Sequence, residues 1–323
     1  MRRKTAGRRP ISVSPLFVVE LVVLASFFAA AVHVHFRGRD RLQFRRQITD
    51  HSTFIAPYNC LVYLFSAVEN RPILDVADFP ALAPLRDNWK TIRDEAVRLY
   101  EAGHIHASDR HDDLGFNTFF RKGWKRFYLK WYGDPLPSAR QLCPATVELL
   151  RSIPSVHGAM FALMAPRSQV GKHRDPFAGS LRYHLGLVTP NSDECRIFID
   201  TEPYSWRDGR DLVFDETYVH HFENRTDQAR IILFCDFERP IRNPLMRAVN
   251  RWAIANVLPL TATKNVEGEE VGLANRVFGS VYAMRTPFRA FKKAHRRLYY
   301  VLKYATMVAA VALLLLGSYR VLR

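Results

Sequence analysis

Residues 158–190 read GAMFALMAPRSQVGKHRDPFAGSLRYHLGLVTP and begin a run of short apolar segments that continues to Arg239. Segments of the same kind are CRIFID at 195–200, DLVFDETYVHHFEN at 211–224 and ARIILFCDFE at 229–238. Short apolar runs separated by turn residues are typical of antiparallel β-structure. Asp208-Gly209, which lies between two of the runs, indicates a hairpin turn. The pattern predicts a β-sandwich or barrel of about eight strands.

Helical periodicity is found on both sides of this β-rich stretch. Residues 86–103 carry apolar side chains at helical spacing, residues 136–152 hold a second helix with Pro144 at its start, and a third lies at about 243–257. The predicted organisation is a basic tail at 1–10, a transmembrane helix at 11–36, a juxtamembrane region at 37–85, a central domain at 86–245 with its β core at about 155–240, a basic helical region at 246–298 and a transmembrane helix at 299–319.

The two terminal apolar segments are the basis for the membrane prediction. A helix needs about 20 apolar residues to cross a bilayer, and residues 11–36 form such a run with a single charge, Glu20. A cleaved signal peptide is the alternative for this segment. The second segment contains leucines at 313–316 and has tyrosines at both ends. Its alternative is a buried C-terminal helix.

The charge of the chain is unbalanced, with 47 Lys and Arg against 31 Asp and Glu, a net charge of +16. Many basic residues lie beside the apolar segments, which favours contact with anionic lipids over nucleic-acid binding. Basic residues are more frequent before the second apolar segment than after it, and this places the central domain in the cytoplasm. The four cysteines have neither disulfide-scaffold nor zinc-site spacing, and we expect reduced thiols.

A possible metal site follows from the spacing of three polar residues. His173 and Asp175 are two positions apart, so on an extended backbone they point to the same side. His220 and His221 follow on a later strand, and either one can supply a second imidazole. Two imidazoles and one carboxylate form the facial triad of non-haem Fe(II) oxygenases. The tripeptide HRD also opens a kinase catalytic loop, but the chain has neither the glycine-rich loop nor the DFG motif of kinases.

Two further strands carry polar residues toward the same region. Arg230 lies in the apolar run ARIILF, and a buried arginine without an anionic partner is costly. Arginine is also the preferred two-point partner of a carboxylate. In SLRYHLGL, alternate residues Arg182 and His184 share one face of the strand. These positions predict an anion-binding cavity next to the metal site.

The stretches GKHRDPFAGSLRYHLGLVTP, FDETYVHHFEN and QARIILFCDFERP resemble the aspartyl/asparaginyl β-hydroxylase family of Fe(II)/2-oxoglutarate dioxygenases. Within that family, the chain is most similar to the bacterial branch that hydroxylates acyl chains of lipid A. The resemblance covers about residues 33–245 and implies a double-stranded β-helix, a jelly-roll-like core, with flanking helices and a terminal transmembrane helix at each end.

The resemblance also assigns roles to individual residues. It makes His173, Asp175 and His220 the iron ligands, Arg230 the 2-oxoglutarate arginine, and Arg182 and His184 the lining of the cosubstrate pocket. His220 is preferred to His221 because the family's FD-x(4)-H spacing, counted from Phe214, ends on it.

The function implied is that of a membrane-anchored dioxygenase that uses Fe(II), 2-oxoglutarate and O2 to hydroxylate C2 of a fatty acyl chain of lipid A or a lipid A precursor. Its expected location is the bacterial inner membrane, in contact with inner-membrane lipids, with the catalytic domain facing the cytoplasm. The aromatic and basic run at 119–132 is expected to form either a lipid-facing mouth or a helical support. The alternatives are a hydroxylase of Asp or Asn in proteins or peptides, and a non-catalytic membrane protein with a relic barrel.

Overall fold

The computed structural model describes residues 15–108 and 113–320, and the predicted basic tail at 1–10 lies outside these ranges. The chain divides into two units. One consists of Ala31–Ala283, and the other consists of the terminal segments Met1–Ala30 and Met284–Arg323. The predicted juxtamembrane region, 37–85, therefore belongs to the same unit as the β core.

Within the described residues, ten strands form two antiparallel sheets. The strands are β1 (Ile73–Leu74), β2 (Trp124–Trp131), β3 (Val156–Met164), β4 (Ser168–His173), β5 (Ser180–Val188), β6 (Cys195–Ile199), β7 (Glu202–Ser205), β8 (Asp211–Phe214), β9 (His220–Asn224) and β10 (Arg230–Glu238). The larger sheet has the order β1-β8-β5-β10-β3-β2 and the smaller one β4-β9-β6-β7. From β3 to β10 the chain passes repeatedly between the sheets, as in a jelly roll. The mainly-β prediction is confirmed.

Strands β5 and β10 pair along almost their whole length at the centre of the larger sheet. Because side chains alternate across a strand, each strand presents two different faces. Leu181, Leu185 and Leu233 pack in the hydrophobic cluster that includes helical residues such as Ile92. Ile232 and its neighbours on the opposite face pack in a second cluster with residues of the smaller sheet. The polar residues predicted on one face of β5 therefore point between the two sheets.

Helices precede, interrupt and follow the strands, and residues of several of them pack against the larger sheet. They are α1 (Pro15–Phe36), α2 (Phe44–Gln47), α3 (His51–Phe54), α4 (Ala56–Phe65), α5 (Ala83–Asp87), α6 (Trp89–Glu101), α7 (Asn117–Phe120), α8 (Pro137–Leu142), α9 (Pro144–Arg151), α10 (Pro244–Asn256), α11 (Leu273–Ala294) and α12 (Arg296–Arg320). The helix predicted at 136–152 is divided at Cys143, whose non-helical backbone (φ −134°, ψ 52°) agrees with the restriction that Pro144 places on the preceding residue.

The hairpin predicted at Asp208-Gly209 is wrong. Gly209 does adopt the positive φ of a tight turn, 69°. However, β7 pairs with β6 in the smaller sheet, whereas β8 pairs with β5 and β1 in the larger one. The turn therefore connects the two sheets, and the Asp208 side chain accepts a hydrogen bond from the Thr189 amide just beyond the end of β5, at 2.7 Å.

The aromatic and basic run at 119–132 forms mainly a strand. Its central part is β2, which pairs with β3 at the edge of the larger sheet. The helical support offered as one expectation is therefore wrong, because only Asn117–Phe120 is helical here. Alternation along β2 buries Trp124 and Tyr128 in the interior cluster, a packing that a strand achieves through its two-residue period.

The N-terminal apolar helix agrees with the sequence prediction. Within residues 15–108 and 113–320, one segment, Phe17–Phe36, is long and apolar enough to cross a bilayer, with a mean hydropathy of 2.3. The second predicted transmembrane segment, 299–319, lies within α12 but is not a span by the same measure. Its membrane role stays a prediction.

Candidate metal and cosubstrate site

Three side chains converge where β4 and β9 meet. His173 is the last residue of β4 and His220 the first of β9, and the antiparallel register makes them direct partners. Their ring centroids are 4.2 Å apart. Asp175 follows two residues later, and one possible ligand atom from each of the three residues lies within 4.8 Å of the others. The structure thus brings together the three residues predicted as metal ligands.

Both imidazoles are held by backbone carbonyl groups. The Nδ1 atom of His173 lies 2.9 Å from the Gly171 oxygen, and that of His220 lies 3.0 Å from the Tyr218 oxygen. A carbonyl only accepts, so each Nδ1 carries the proton and each Nε2 is the nitrogen left for a metal. Burial, reinforced by His220, lowers the pKa of His173 to about 3, and burial also lowers the pKa of His220. Both rings are therefore neutral at neutral pH, as metal binding requires.

Arg182 organises the carboxylate of the triad. Its guanidinium contacts the side chains of Asp175 and Glu216, and its Nε donates to Asp236 at 2.9 Å. Burial alone would raise the pKa of Asp175, but the charge of Arg182 and its hydrogen bond to the carboxylate hold that pKa below its ordinary value. Asp175 is therefore a carboxylate aimed by Arg182. Arg182 lies on the predicted interior face, where its donors are directed at protein carboxylates.

Arg230 is fully buried at the start of β10. Among the described residues, none accepts a hydrogen bond from its Nε, Nη1 or Nη2 atoms. Its guanidinium carbon lies 4.3 Å from the ring centre of Trp206, 5.5 Å from that of Trp124 and 5.9 Å from that of Phe222. Burial lowers the pKa of Arg230 to about 10, so it remains a cation at neutral pH. A buried cation without a protein acceptor is the feature expected of an anion-binding site.

Further unused polar atoms lie in the same interior. His184 is buried, and its ring packs 5.0 Å from Phe214 and 5.3 Å from Phe234, between ring centres. In the part of the chain that the structure describes, neither of its ring nitrogens has a hydrogen-bond partner, and the same holds for the indole nitrogens of Trp124 and Trp206. These groups, together with Arg230, fit a small anionic ligand with several oxygens.

Some residues of this site were not found from the sequence. Asp236 shares a face of β10 with Arg230, so the two-residue period could have identified it. Glu216 occupies the loop between β8 and β9, and Trp124 belongs to a strand far away in sequence, so no local signal placed Glu216 beside Arg182 or Trp124 beside Arg230. The ring of His221 turns away from the triad and stacks on Phe198, with ring centres 4.7 Å apart and nearly parallel planes.

Comparison with known proteins identifies relatives of this chain. The sequence profile of the aspartyl/asparaginyl beta-hydroxylase family matches residues 86–240. An ornithine lipid ester-linked acyl 2-hydroxylase of Rhizobium tropici is 34% identical over 201 residues, which cover 61% of this chain and 70% of that protein. Human aspartyl/asparaginyl beta-hydroxylase is 30% identical over 169 residues, or 50% of this chain and 22% of that one. A Pseudomonas putida prolyl-4-hydroxylase structure matches 47% of this chain and 87% of its own at 17% identity, with a TM-score of 0.34.

The family match therefore makes this chain a hydroxylase of the 2-oxoglutarate-dependent class, as the sequence predicted. The chain belongs to the aspartyl/asparaginyl beta-hydroxylase family.

Proposed function

We propose that the protein hydroxylates C2 of a fatty acyl chain of a membrane lipid, with lipid A or a lipid A precursor as substrate and with Fe(II), 2-oxoglutarate and O2 as metal and cosubstrates. One observation carries the catalytic part of the proposal. The interior of the jelly roll holds a His-Asp-His set, His173, Asp175 and His220, and a fully buried arginine, Arg230, without an acceptor among the described residues.

The donor set fits this chemistry. Two neutral imidazoles and one carboxylate suit Fe(II) and leave open positions on the metal. When bound, iron with 2-oxoglutarate and O2 supplies the oxidising power for C–H hydroxylation, with release of succinate and CO2. His173, Asp175 and His220 hold the metal, and Arg182 keeps Asp175 oriented and ionised. Arg230 pairs with the C5 carboxylate of 2-oxoglutarate, and the aromatic rings around it exclude water.

Three observations support a lipid substrate. The Rhizobium tropici relative is named for hydroxylation of an ester-linked acyl chain of a lipid, and this chain covers 70% of it. The chain also carries an apolar helix able to cross a bilayer. Its net charge of +16 favours a lipid with phosphate groups. By contrast, the chain spans 22% of the human aspartyl/asparaginyl beta-hydroxylase that it matches.

The proposal predicts a defined product. Full-length protein in lipid nanodiscs, supplied with Fe(II) and 2-oxoglutarate, is expected to add one oxygen atom to lipid A and to release an equal amount of succinate. Mass spectrometry of the lipid detects the product, and fragmentation locates the hydroxyl on C2. Parallel reactions contain an ornithine lipid or an Asp- and Asn-containing peptide, and the His173→Ala protein is the catalytic control. Hydroxylation of the peptide alone, or of no substrate, would contradict the proposal.

We also propose that the catalytic unit faces the cytoplasm from the bacterial inner membrane. Basic residues precede the apolar part of α12 at 285, 289, 292, 293, 296, 297 and 303, whereas Arg320 and Arg323 follow it. Ala102 and Gly103 lie in an exposed turn after α6. An alkaline phosphatase reporter inserted between them is expected to be inactive, because alkaline phosphatase matures only in the periplasm. A fluorescent protein at the same position should be bright. Strong phosphatase activity would show the opposite orientation.

A further inference from the structure

Arg174 lies between two of the proposed metal ligands but points away from them. Its side chain is fully buried. The guanidinium donates to the carbonyl oxygens of Val34, His35 and Arg37, the last at 3.1 Å. These carbonyl groups lie at the C-terminal end of the apolar helix α1, where the last turn has no partners within the helix. Arg174 thus caps that helix end with hydrogen bonds and a favourable charge.

A second contact joins the same helix end to the loop before His220. Arg37 donates to the Thr217 hydroxyl and to Asp215, each at 2.6 Å, and its guanidinium stacks 3.8 Å from the ring centre of Tyr218. The carbonyl group of Tyr218 is the one that holds Nδ1 of His220. Arg37, the first residue after α1, therefore contacts the loop that orients the imidazole of His220.

A third contact fixes the turn that follows Arg37. The amide groups of Arg39 and Asp40 both donate to one carboxylate oxygen of Asp200, at 2.7 and 2.6 Å. The amide of Asp200 in turn donates to the Val219 oxygen at 2.7 Å. Lys172, next to His173, reaches the Asp40 carboxylate at 2.8 Å. We call residues 34–40 the anchor turn. It contacts both ligand-bearing segments, 172–175 and 215–220.

We infer that the anchor turn is part of the framework of the metal site, with Arg174 and Arg37 as positioning residues for the ligands. The inference rests on the proposed function only in that the His-Asp-His set binds a metal. Arg174 shares one short segment with His173 and Asp175, so a displacement of its side chain must be transmitted along that backbone. Arg37 acts in the same way on the loop that leads to His220. A role confined to stability would leave the metal geometry unchanged when these contacts are removed.

The test uses full-length protein in nanodiscs and Co(II) as the metal probe. Arg174→Met keeps the length of the side chain and removes its donors. We expect it to weaken Co(II) binding by about 10- to 100-fold, the range found when groups that orient metal ligands are removed, and to alter the visible absorption of bound Co(II). Arg174→Lys, which keeps the charge and can donate to one carbonyl group, should recover part of both. Melting temperature is measured on each metal-free sample.

Glu95→Gln is the matched control. Glu95 is a buried side chain that accepts hydrogen bonds from the amide groups of Ala145 and Thr146, at 3.1 and 2.8 Å, and so caps the start of another helix, α9. Its substitution should lower the melting temperature without changing the Co(II) affinity or spectrum.

A second probe of the anchor turn is Gly38→Ala. Gly38 has φ +85°, and an added Cβ would lie 2.6 Å from Asp200 Oδ1 and 2.9 Å from Tyr218 Cδ1.

The outcomes separate the inference from the proposed function. If the unmodified protein does not bind Co(II) at the triad, the proposed metal site fails. If it binds, and folded Arg174→Met binds Co(II) with the original affinity and spectrum, the inference is overturned. If Arg174→Met does not fold, Gly38→Ala decides in the same way: weaker binding with an altered spectrum supports the inference, and unchanged binding overturns it.

Discussion

Replacing Arg230 by alanine is expected to weaken 2-oxoglutarate binding by about 30- to 4,000-fold. Arg230 is fully buried among aromatic rings, and in the described residues its three guanidinium nitrogens have no acceptor. Loss of one partner from a buried, hydrogen-bonded charge pair costs about 2–5 kcal/mol, and 1.4 kcal/mol corresponds to a factor of ten. The measurement is anaerobic titration of 2-oxoglutarate into protein loaded with Co(II), with the melting temperature of the same sample.

The controls for this prediction distinguish cosubstrate binding from stability. Co(II) affinity should not change in Arg230→Ala, because Arg230 is not one of the proposed ligands. Arg230→Lys should recover only part of the 2-oxoglutarate affinity, since an ammonium group cannot make the planar two-point contact. The competing explanation for a core-strand arginine is a protein carboxylate partner, for example Asp236, but Asp236 pairs with Arg182 at 2.9 Å. An unchanged dissociation constant for 2-oxoglutarate would remove Arg230 from the cosubstrate site.

Alanine at His173, Asp175 or His220 is expected to reduce 2-oxoglutarate turnover by more than about a hundredfold. A site with three protein ligands has no spare one, and the loss of a direct ligand should exceed the 10- to 100-fold effect of a residue that only orients one. Coupled succinate formation measures turnover, and Co(II) titration measures metal affinity. Both quantities should fall together for each of the three substitutions.

His221→Ala is the matched control for His220→Ala. The two histidines are adjacent, but the ring of His221 stacks on Phe198 outside the triad, whereas His220 faces His173. We expect His221→Ala to keep most of the turnover and metal affinity. An essential His221 with a dispensable His220 would mean that the second imidazole has been assigned to the wrong residue.

Local patterns in the sequence were sufficient to predict much of this fold. Two-residue alternation correctly separated the two faces of β5. Arg182 and His184 lie between the two sheets, whereas Leu181 and Leu185 are buried in the cluster that includes helical residues. The spacing of His173 and Asp175 could be interpreted without a structure because both residues belong to one short segment. These features depend only on the direction in which side chains point along a few consecutive residues, and that direction follows from the period of an extended strand.

Features that depend on strand partners could not be derived in this way. Gly209 permits a tight turn both in a hairpin and in a connection between sheets. Which of the two forms depends on the strands that β7 and β8 pair with, β6 and β5 respectively. The contacts of Arg182 with three carboxylates are a further example, because Glu216 and Asp236 come from other parts of the chain. The cap that Arg174 places on α1 joins residues 140 positions apart, and a sequence contains no signal for that contact.

The absence of a linker after the apolar helix has a consequence for regiochemistry. A flexible linker of ten residues would allow excursions of roughly 17 Å, whereas Arg37 is buried immediately after Phe36 and is held by Asp215 at 2.6 Å. The distance from the end of that helix to the triad is therefore fixed. For a lipid substrate of the kind proposed, this fixed spacing predicts that the oxidised carbon is counted from the head-group end of the acyl chain, so lengthening the distal end of the chain should not shift the site of oxidation.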